Sequence, residues 1–385
     1  MNDYLYDIAI IGGGIGGCAT AIELARDNHS VILCEAKSYP HHKVCGEFLS
    51  PECTAMLDAL DLTAAIQAVK PAAIHKAAII APNGTSWETE LPGIALGISR
   101  YTLDNLMATH ARACGVDFRE STTVTQIQGD LESTFRLETR TATHHESIHA
   151  RTVIGAHGKR STIDRALDRP FLKNPQHFVG LKNHFIGKMP PSRIQLYTFP
   201  GGYCGLSEIE DGQVNACLLV RTEVFQGVCE GSIDRFIEWM KTQNPTLGTW
   251  LRTAQPIYKN WISIAQVSFA NKQAVVHDML MVGDSAGLIP PLAGDGMGIA
   301  LQASFIASSL LKRYLAGQIS AECVRRQYAA DWGDAFGLRL RLSSILQAIM
   351  LRPNWLTLGL HLINAAPPLG QFLLNQTRDS KPVQI

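Results

Sequence analysis

The residues best suited to chemistry begin with three glycines, Gly12, Gly14 and Gly17, which directly follow an apolar run over 6–11. This GxGxxG spacing allows a tight turn, a close approach of the backbone to a pyrophosphate, and close packing of a following helix. The N-terminus of that helix attracts an anion. Glu35 ends the next apolar run, where a carboxylate can accept hydrogen bonds from a ribose and repel a 2′-phosphate. These residues predict a dinucleotide site.

A second segment lies much later in the chain, where an apolar strand ends in Gly283-Asp284. The carboxylate suits a sugar-alcohol hydroxyl, and the glycine removes a side chain that would block its approach. A ribityl chain fits this need. The glycine-rich stretch that follows opens a helix predicted over 299–315, whose positive end could stabilise negative charge in a reduced flavin. The two segments together predict FAD as the dinucleotide.

The elements that must position these residues alternate between strand and helix. A strand over 6–11, a helix over 16–28 and a buried strand over 31–35 predict one βαβ unit. From 176 to 220 the sequence changes to strand-like segments separated by glycine-containing turns, which predicts a separate β-rich domain. Other predicted elements are a hairpin (75–91), a helix (103–113), strands (near 122–128, 134–140, 151–155), a helical region (232–252), a buried strand (275–283) and helices from 297 onward.

The predicted fold class is α/β, with a Rossmann-like FAD-binding domain, an inserted β-rich substrate domain and a C-terminal helical region. Since its last strand comes late in the chain, the FAD-binding domain is expected to be discontinuous. The predicted ranges are 1–72, 100–170 and 270–316 for the FAD-binding domain, 73–99 and 171–269 for the substrate domain, and 317–385 for a helical cap.

Composition and charge narrow the classes of function. Lys plus Arg and Asp plus Glu both number 34, so no long-range positive field draws nucleic acid, which is not expected as a partner. The nine cysteines show no CxxC pair, and we predict no metal site or disulfide framework. The first residues lack the basic flank of a signal peptide, so we expect a cytoplasmic protein.

The combined segments resemble the glutathione-reductase-type flavoproteins, and within them the group that contains class A aromatic hydroxylases and geranylgeranyl reductases. The resemblance covers most of residues 5–315. It implies that Asp284 binds the ribityl chain, that the Pro291 loop lies beside the isoalloxazine, and that Arg100 contacts FAD. The predicted cofactor-binding residues are Gly12, Gly14, Ile15, Gly16, Gly17, Glu35, Ala36, Arg100, Gly283, Asp284, Pro291, Gly294, Gly296 and Met297.

The segment from Lys43 to Pro51, KVCGEFLSP, looks like the Lys-x-Cys-Gly-Glu-x-Leu-Ser-Pro segment of geranylgeranyl-reductase-like proteins. In them the cysteine lies near the flavin and the substrate. The resemblance implies a catalytic role for Cys45, with Lys43 and Glu47 serving phosphate contact or proton delivery. A free cysteine is also commonly a buried core residue, and Lys43 and Glu47 could be a solvated pair on a loop.

Other positions depart from these families. The strand that carries Trp in prenyl reductases here contains Tyr203 and Cys204, the Trp-x-Trp pair of flavin halogenases is absent, and His157 replaces the aspartate of the Asp-Gly pair in class A hydroxylases. We therefore expect a monooxygenase that hydroxylates a small, apolar or aromatic metabolite with NAD(P)H and oxygen. The alternatives are a reductase of carbon–carbon double bonds with Cys45 as the acid, and a non-enzymatic flavin-binding electron carrier.

Expected partners are a small, apolar substrate and NADH or NADPH as a transient electron donor, because no second GxGxxG with its own βαβ unit is visible. Substrate contacts are expected from the β-rich domain, where Lys182, His184 and Tyr203 are candidates. Each could also be an ordinary strand residue.

Residues 341–373 are apolar but contain Arg352 and several prolines, so we predict no transmembrane span. They are expected to cap the flavin domain, or to form a lid for a lipophilic substrate with peripheral membrane contact.

Overall fold

A computed structural model of the protein describes residues 4–159, 161–173 and 178–376. The predicted domain ranges also include residues 1–3, 160, 174–177 and 377–385, which lie outside the described residues. The described strands are β1 Leu5–Ile11, β2 Val31–Cys34, β3 Phe48–Leu49, β4 Ala72–Ile80, β5 Ser86–Gly97, β6 Asp117–Arg119, β7 Thr123–Gln128, β8 Phe135–Arg140, β9 His145–Gly155, β10 Phe178–Ile186, β11 Arg193–Phe199, β12 Gly202–Glu208, β13 Val214–Arg221, β14 Gln255–Pro256, β15 Ile262–Val267, β16 Val275–Val276 and β17 Met279–Met281.

The α-helices in the same part of the chain are α1 Ile15–Arg26, α2 Cys53–Ala59, α3 Thr63–Ala68, α4 Arg100–Ala113, α5 Thr162–Ala166, α6 Thr222–Cys229, α7 Ile233–Gln243, α8 Pro245–Thr253, α9 Gly296–Leu315, α10 Ala321–Met350, α11 Pro353–Ala365 and α12 Pro367–Gln376. Short 3₁₀ turns cover Pro170–Lys173, Glu210–Gly212, Gly283–Ser285 and Pro291–Ala293. The predicted α/β class is confirmed.

The first sheet has a parallel centre in the order β17-β9-β1-β2-β6. The last four residues of β1 and all four of β2 are buried and apolar, as expected for parallel strands covered on both faces. Helix α1 connects these two strands and packs against α4 and α9. Since β1, β9 and β17 run parallel, their carboxyl ends meet at one edge of the sheet.

The second sheet has the order β14-β10-β13-β12-β11-β4-β5-β3, and β15 also pairs with β10. Its pairs are antiparallel except for β4 with β11. One face packs on α6, α7 and α8, which contribute Phe225, Phe236 and Leu247 respectively to a shared core. Strand β3 belongs to this sheet although it lies within the predicted nucleotide range 1–72, and the domain division itself remains a prediction.

Several predicted elements begin or break elsewhere for local reasons. Helix α4 begins at Arg100 because the hydroxyl of Ser99 accepts a hydrogen bond from the Thr102 N–H and caps the helix. The helical region predicted over 232–252 forms two helices. Asn244 caps the second of them, and Pro245 starts it at a position that proline favours.

The C-terminal helices divide between the two sheets. Helix α10 packs against α9, whereas α11 and α12 contact β5 of the second sheet. Tyr328, Trp332 and Phe336 of α10 join the core of the first sheet. Within the described ranges, no helix combines the length and the apolar composition that crossing a membrane requires.

Candidate flavin-binding and catalytic site

The loop after β1 is shaped by close backbone contacts. Gly12 has φ +102°, and a Cβ there would lie 2.5 Å from the carbonyl oxygen of Ala156. A Cβ on Gly17 would lie 1.9 Å from the Gly12 carbonyl oxygen. Both glycines are therefore required by packing between the loop, α1 and the end of β9.

Gly14 faces a different environment. A Cβ on it would meet only the Lys43 Nζ at 3.7 Å and the Arg100 Nη2 at 3.8 Å. This position, at the N-cap of α1, is bordered by two cations. Backbone, helix terminus and cations together suit a pyrophosphate.

The two cations share one carboxylate, Asp104, which is fully buried. Arg100 binds it with two hydrogen bonds of 2.6 and 2.8 Å, and Lys43 lies 2.9 Å away. Burial alone raises the pKa of the Asp104 carboxyl, but Arg100 and Lys43 lower it below its ordinary value. Lys43, Arg100 and Asp104 together carry a net charge of about +1. This charge lies beside Gly14, in what we call the pyrophosphate space.

Glu35 follows β2 and is buried at the same edge of the sheet. Its carboxylate accepts hydrogen bonds from the Gly13 N–H at 2.8 Å and the Lys37 N–H at 3.0 Å. These two bonds fix the carboxylate, and its oxygens retain acceptor directions for a ribose diol. The neighbouring Ala36 is exposed.

The turn at Gly283–Ser285 follows β17 at this edge. Gly283 has φ +63°, and the Asp284 side chain is half-buried. The Lys272 ammonium donates hydrogen bonds of 2.7 Å to the carbonyl oxygens of Asp284 and Lys159. Burial lowers the pKa of Lys272 to about 8. Lys272 therefore fixes the backbone of the turn, while the Asp284 carboxylate stays partly exposed.

The Pro291 loop leads into α9 through Gly294, which has φ +65°. Asp295 is buried and pairs with the Arg339 guanidinium of α10 at 2.8 Å. A second hydrogen bond joins Arg339 to the Gln302 side chain of α9 at 2.6 Å. Arg339 was not predicted from the sequence, although an arginine inside an apolar helix is a usable signal for a buried ion pair.

Four further predicted cofactor residues lie in the first turns of α1 and α9. Ile15 and Met297 are buried. A Cβ on Gly16 would lie 2.7 Å from the Val282 side chain, so this glycine serves the packing of α1 against the strand end. Gly296 begins α9 and has only the Ile289 side chain near its would-be Cβ, at 3.6 Å.

Glu47 occupies the junction between the two sheets and is fully buried. It contacts the Lys182 ammonium, and it lies 2.7 Å from His184 Nε2 and 2.7 Å from the Arg100 backbone nitrogen. Lys182 and His184 are two residues apart on β10, so their side chains share one face of the strand. Burial alone raises the pKa of Glu47, but His184 and Lys182 lower it below its ordinary value.

Cys45 is half-buried beside this ion cluster. Its thiol accepts a hydrogen bond of 3.4 Å from the Glu47 N–H, and its carbonyl oxygen accepts one of 3.0 Å from the Asn215 amide. The Arg100 guanidinium also interacts with the thiol. Burial lowers the pKa of Arg100, but Asp104 and, to a smaller extent, Cys45 raise it. The net result is a pKa above the ordinary value for arginine. Cys45 thus lies between the pyrophosphate cations and the second sheet.

A ring cluster covers the outer side of the Glu47 site. The His42 ring stacks on the Tyr101 ring, with the ring centroids 4.6 Å apart. A hydrogen bond of 2.9 Å joins His42 Nε2 to the Tyr258 hydroxyl, and the His184 ring packs edge-on against His42. Burial and the charge of Lys182 lower the pKa of His42 to about 4. His42 is therefore neutral at physiological pH.

A second carboxylate, Glu210, reaches the same helix terminus from the second sheet. It accepts hydrogen bonds from the Ser99 N–H at 2.7 Å and the Thr102 hydroxyl at 2.6 Å. Glu47 and Glu210 thus both bind the N-terminus of α4, where negative charge is favoured. Glu210 was not predicted from the sequence, since it lies 111 residues from Ser99.

Tyr203, predicted to contact the substrate, lies apart from Lys182 and His184. Its side chain is buried, its hydroxyl donates to the Gln347 side chain at 3.1 Å, and it accepts from the Leu292 N–H at 3.2 Å. The neighbouring Cys204 is buried in the core on the helix-covered face. The structure therefore joins Cys45, Lys43, Glu47, Lys182 and His184 around Arg100, and places Tyr203 behind the Pro291 loop.

Residues 5–197 match a protein family described as FAD binding domain. The chain belongs to this family. It is an FAD-dependent oxidoreductase, and the contacts around Gly14, Glu35 and Asp284 provide the cations, carboxylates and open backbone that FAD requires.

Curated relatives of this flavoprotein align over most of its length. Conditioned medium factor receptor 1 of Dictyostelium discoideum is 24% identical over 91% of this chain and 72% of its own. Menaquinone reductase of Mycolicibacterium smegmatis is 20% identical, covering 79% and 76%. Digeranylgeranylglycerophospholipid reductase of Methanosarcina acetivorans is 24% identical, covering 90% and 85%.

Solved structures share the fold of this flavoprotein at low identity. The flavin-dependent brominase Bmp2 superposes with a TM-score of 0.82 at 17% identity, covering 97% of this chain and 93% of its own. The p-nitrophenol 4-monooxygenase PnpA of Pseudomonas putida has a TM-score of 0.79 at 16% identity, covering 98% and 99%. At such identities the likeness establishes the fold.

His157 has a structural partner in the flavoprotein. Its Nε2 lies 3.0 Å from the buried Asp164 carboxylate, which also binds Arg169 at 3.1 Å. Arg169 donates in turn to the Ser285 carbonyl oxygen at 2.7 Å, and the Gly158 N–H donates to the Ser285 hydroxyl at 2.8 Å. His157 therefore belongs to a network that supports the Gly283–Ser285 turn.

The segment 145–149, HESIH, has the HExxH spacing of many zinc sites, which the sequence analysis overlooked. It lies in β9, where residues four apart are separated by about 13 Å, so His145 and His149 cannot share one ion. Among the described residues, no group of three or more His, Cys, Asp or Glu side chains could hold a metal.

Proposed function

We propose that the protein reduces a carbon–carbon double bond in an apolar substrate, using FAD with NADH or NADPH as the transient electron donor. The observation that carries the proposal is the position of Cys45. Its half-buried thiol lies between Arg100, which borders the pyrophosphate space, and the ion cluster of Glu47. An acid at this position serves a double-bond reduction.

Two of the relatives support this choice by name. Menaquinone reductase and digeranylgeranylglycerophospholipid reductase both align over more than three quarters of this chain. The resemblance of the segment from Lys43 to Pro51 to geranylgeranyl-reductase-like proteins points to the same class.

Bound, reduced FAD supplies the hydride for such a reaction. The protein's own part is to hold a proton on Cys45 Sγ and to release it to the second carbon of the double bond. The sulfur that remains lies beside the Arg100 guanidinium, and the half-buried loop allows solvent to return the proton.

Glu47 is unsuited to supply that proton. Both its oxygens are bound by Lys182, His184 and the Arg100 N–H, and its pKa is lowered, so it stays ionised near neutral pH. We propose that Glu47 acts as a positioning residue. It fixes the Cys45 loop against β10, and the aromatic cover around His42 excludes water from the ions.

The test is anaerobic reoxidation of the reduced holoenzyme by a geranylgeranyl lipid, which carries carbon–carbon double bonds and no quinone ring, followed by the flavin absorbance and by product mass. We expect alkene-dependent reoxidation with a product heavier by two hydrogens. Cys45→Ala should slow it on the order of 100-fold or more while FAD content is unchanged. Cys114→Ala, at another half-buried cysteine, is the matched control.

Anaerobic reoxidation that no alkene accelerates, or Cys45→Ala with unchanged rate, contradicts the proposal. The second candidate is a monooxygenase acting on a small, apolar or aromatic metabolite. It is supported if no alkene accelerates reoxidation and if oxygen consumption is coupled to a hydroxylated product. The observation that favours this candidate is β12, where Tyr203 and its neighbours replace the tryptophan-containing strand typical of prenyl reductases. A protein that exchanges electrons without converting any substrate is an electron carrier.

A further inference from the structure

We propose that the outer face of the C-terminal helices docks on an anionic lipid bilayer. Fourteen large apolar side chains of the described residues are exposed, and seven of them fall between residues 338 and 372. We call the surface formed by Ile345, Trp355, Leu358, Leu362, Leu369 and Phe372 the apolar face. Such a concentration on one region marks an interaction site.

Helix α11 shows that this face has no partner within the described chain. Trp355, Leu358 and Leu362 are spaced three and four residues apart, so they lie on one side of the helix, and each is more than half exposed. Leu356 and Leu360 are buried on the protein side. A surface helix ordinarily presents polar residues outward, whereas α11 is apolar on both sides.

The charges around this face favour an anionic bilayer as its occupant. Residues 335–376 contain three arginines and no aspartate or glutamate, although acidic and basic residues are equal in number over the whole chain. Arg339 is buried with Asp295, while Arg341 and Arg352 are exposed. Anionic headgroups complement these two cations. A second copy of the chain would bring arginines near arginines, which disfavours a dimer through this face.

Beneath the apolar face, buried apolar side chains extend from α11 to the Pro291 loop. Leu356 and Leu360 pack in one cluster with Tyr203 and Leu288, and Leu292 of the Pro291 loop borders that cluster. A bilayer under α11 and α12 would thus touch an apolar wall that reaches the loop beside the predicted isoalloxazine. A lipid-borne substrate fits this continuity, a step that rests on the proposed function.

The docking test uses the FAD-loaded protein without turnover. It is mixed with vesicles of phosphatidylcholine alone or of phosphatidylcholine with phosphatidylglycerol, and binding is measured by co-sedimentation. Quenching of tryptophan fluorescence by brominated lipid reports whether Trp355 enters the bilayer. We expect binding that depends on phosphatidylglycerol, weakens with salt, and is accompanied by quenching that Trp355→Leu removes.

Two double variants separate the contributions. Leu358→Ser with Leu362→Ser should weaken vesicle binding by on the order of tenfold or more. Arg341→Gln with Arg352→Gln should weaken it roughly fivefold for each arginine and reduce its salt dependence. Ile186→Ser, at an apolar side chain of β10 that is 62% exposed, is the matched control and should bind like the wild type. Unchanged FAD content in each variant establishes that it is folded.

Absence of binding to either vesicle, or binding that the leucine variant leaves unchanged, overturns the proposal. A concentration-dependent dimer that the same leucine variant dissociates would overturn it in favour of a second copy. Vesicle binding by a protein that fails the anaerobic reduction test leaves docking standing and rejects the proposed function alone.

Discussion

The loop around Gly14 and the junction around Glu47 lie on either side of Arg100 and are built from different stretches of sequence. In the loop, Gly13 and Glu35 bind each other across 22 residues of chain, within one βαβ unit. In the junction, Glu47, which directly precedes β3, and His184 of β10 meet across 137 residues of chain. The loop consists mainly of backbone and open space, whereas the junction consists of buried charges. We therefore expect changes in the loop to alter FAD binding and changes in the junction to alter stability.

The sharpest test of this contrast is Glu47→Gln. The variant leaves the Lys182 ammonium buried without an anion, and the free energy of unfolding should fall by about 3–5 kcal/mol. Urea unfolding followed by tryptophan fluorescence measures it. Glu88→Gln, at a half-exposed carboxylate paired with Lys76 and Arg193, is the control and should cost less than about 1 kcal/mol. A loss for Glu47→Gln no larger than the control's would contradict the contrast.

The same variant has a defined pH dependence. The pKa of Glu47 is lowered below its ordinary value of 4.5 in the folded protein, so the stabilising contribution of Glu47 is complete above pH 4.5. The contribution is lost as the pH falls through the lowered pKa. The difference in unfolding free energy between wild type and Glu47→Gln should therefore be largest near neutral pH and shrink below pH 4.5.

On the FAD side of the comparison, Asp284→Ala removes the carboxylate predicted to bind the ribityl chain. Loss of a hydrogen bond to a charged group should weaken FAD binding about 10- to 100-fold. The unfolding free energy of the FAD-free protein should stay nearly constant, because the side chain is only half-buried. Titration of FAD-free protein with FAD measures the affinity, with Asp130→Asn in an exposed turn as the control. Unchanged affinity would refute the ribityl assignment.

The smallest expected effect is that of Glu210→Gln. The amide oxygen can still accept a hydrogen bond at the N-terminus of α4, but the negative charge is lost. We expect the free energy of unfolding to fall by about 1 kcal/mol and FAD affinity to stay within about twofold of the wild type. Thermal unfolding and FAD titration of the same sample check both. A large loss of FAD affinity would show that the junction controls the loop.

The loop was predictable from the sequence because its parts are local. The glycine spacing, the strand before it and Glu35 all belong to one unit, and the carboxyl ends of parallel strands bring Asp284 to the same edge. The break between α7 and α8 was also readable, since Asn244-Pro245 is a helix-start signal that the sequence analysis passed over.

The junction was not predictable in the same way. The contact of Glu47 with Lys182 depends on which residues of β10 face the first sheet, and the contact of Glu210 with Ser99 depends on how the two sheets meet. Neither follows from spacing along the chain. The sequence predicts Lys182 and His184 as substrate contacts because they belong to the strands of the β-rich domain. In the structure, both side chains contact the buried carboxylate of Glu47.

Helix α4 has a consequence for exchanging parts between related flavoproteins. Its first turn binds one carboxylate from the Cys45 loop and one from the second sheet, while its Arg100 and Asp104 hold Lys43 beside the pyrophosphate space. A grafted substrate domain would have to supply Lys182, His184 and Glu210 as a set. Recombination that separates these three residues from Glu47 leaves buried charges without counterions in the junction. Viable chimaeras should therefore keep all four residues from one parent.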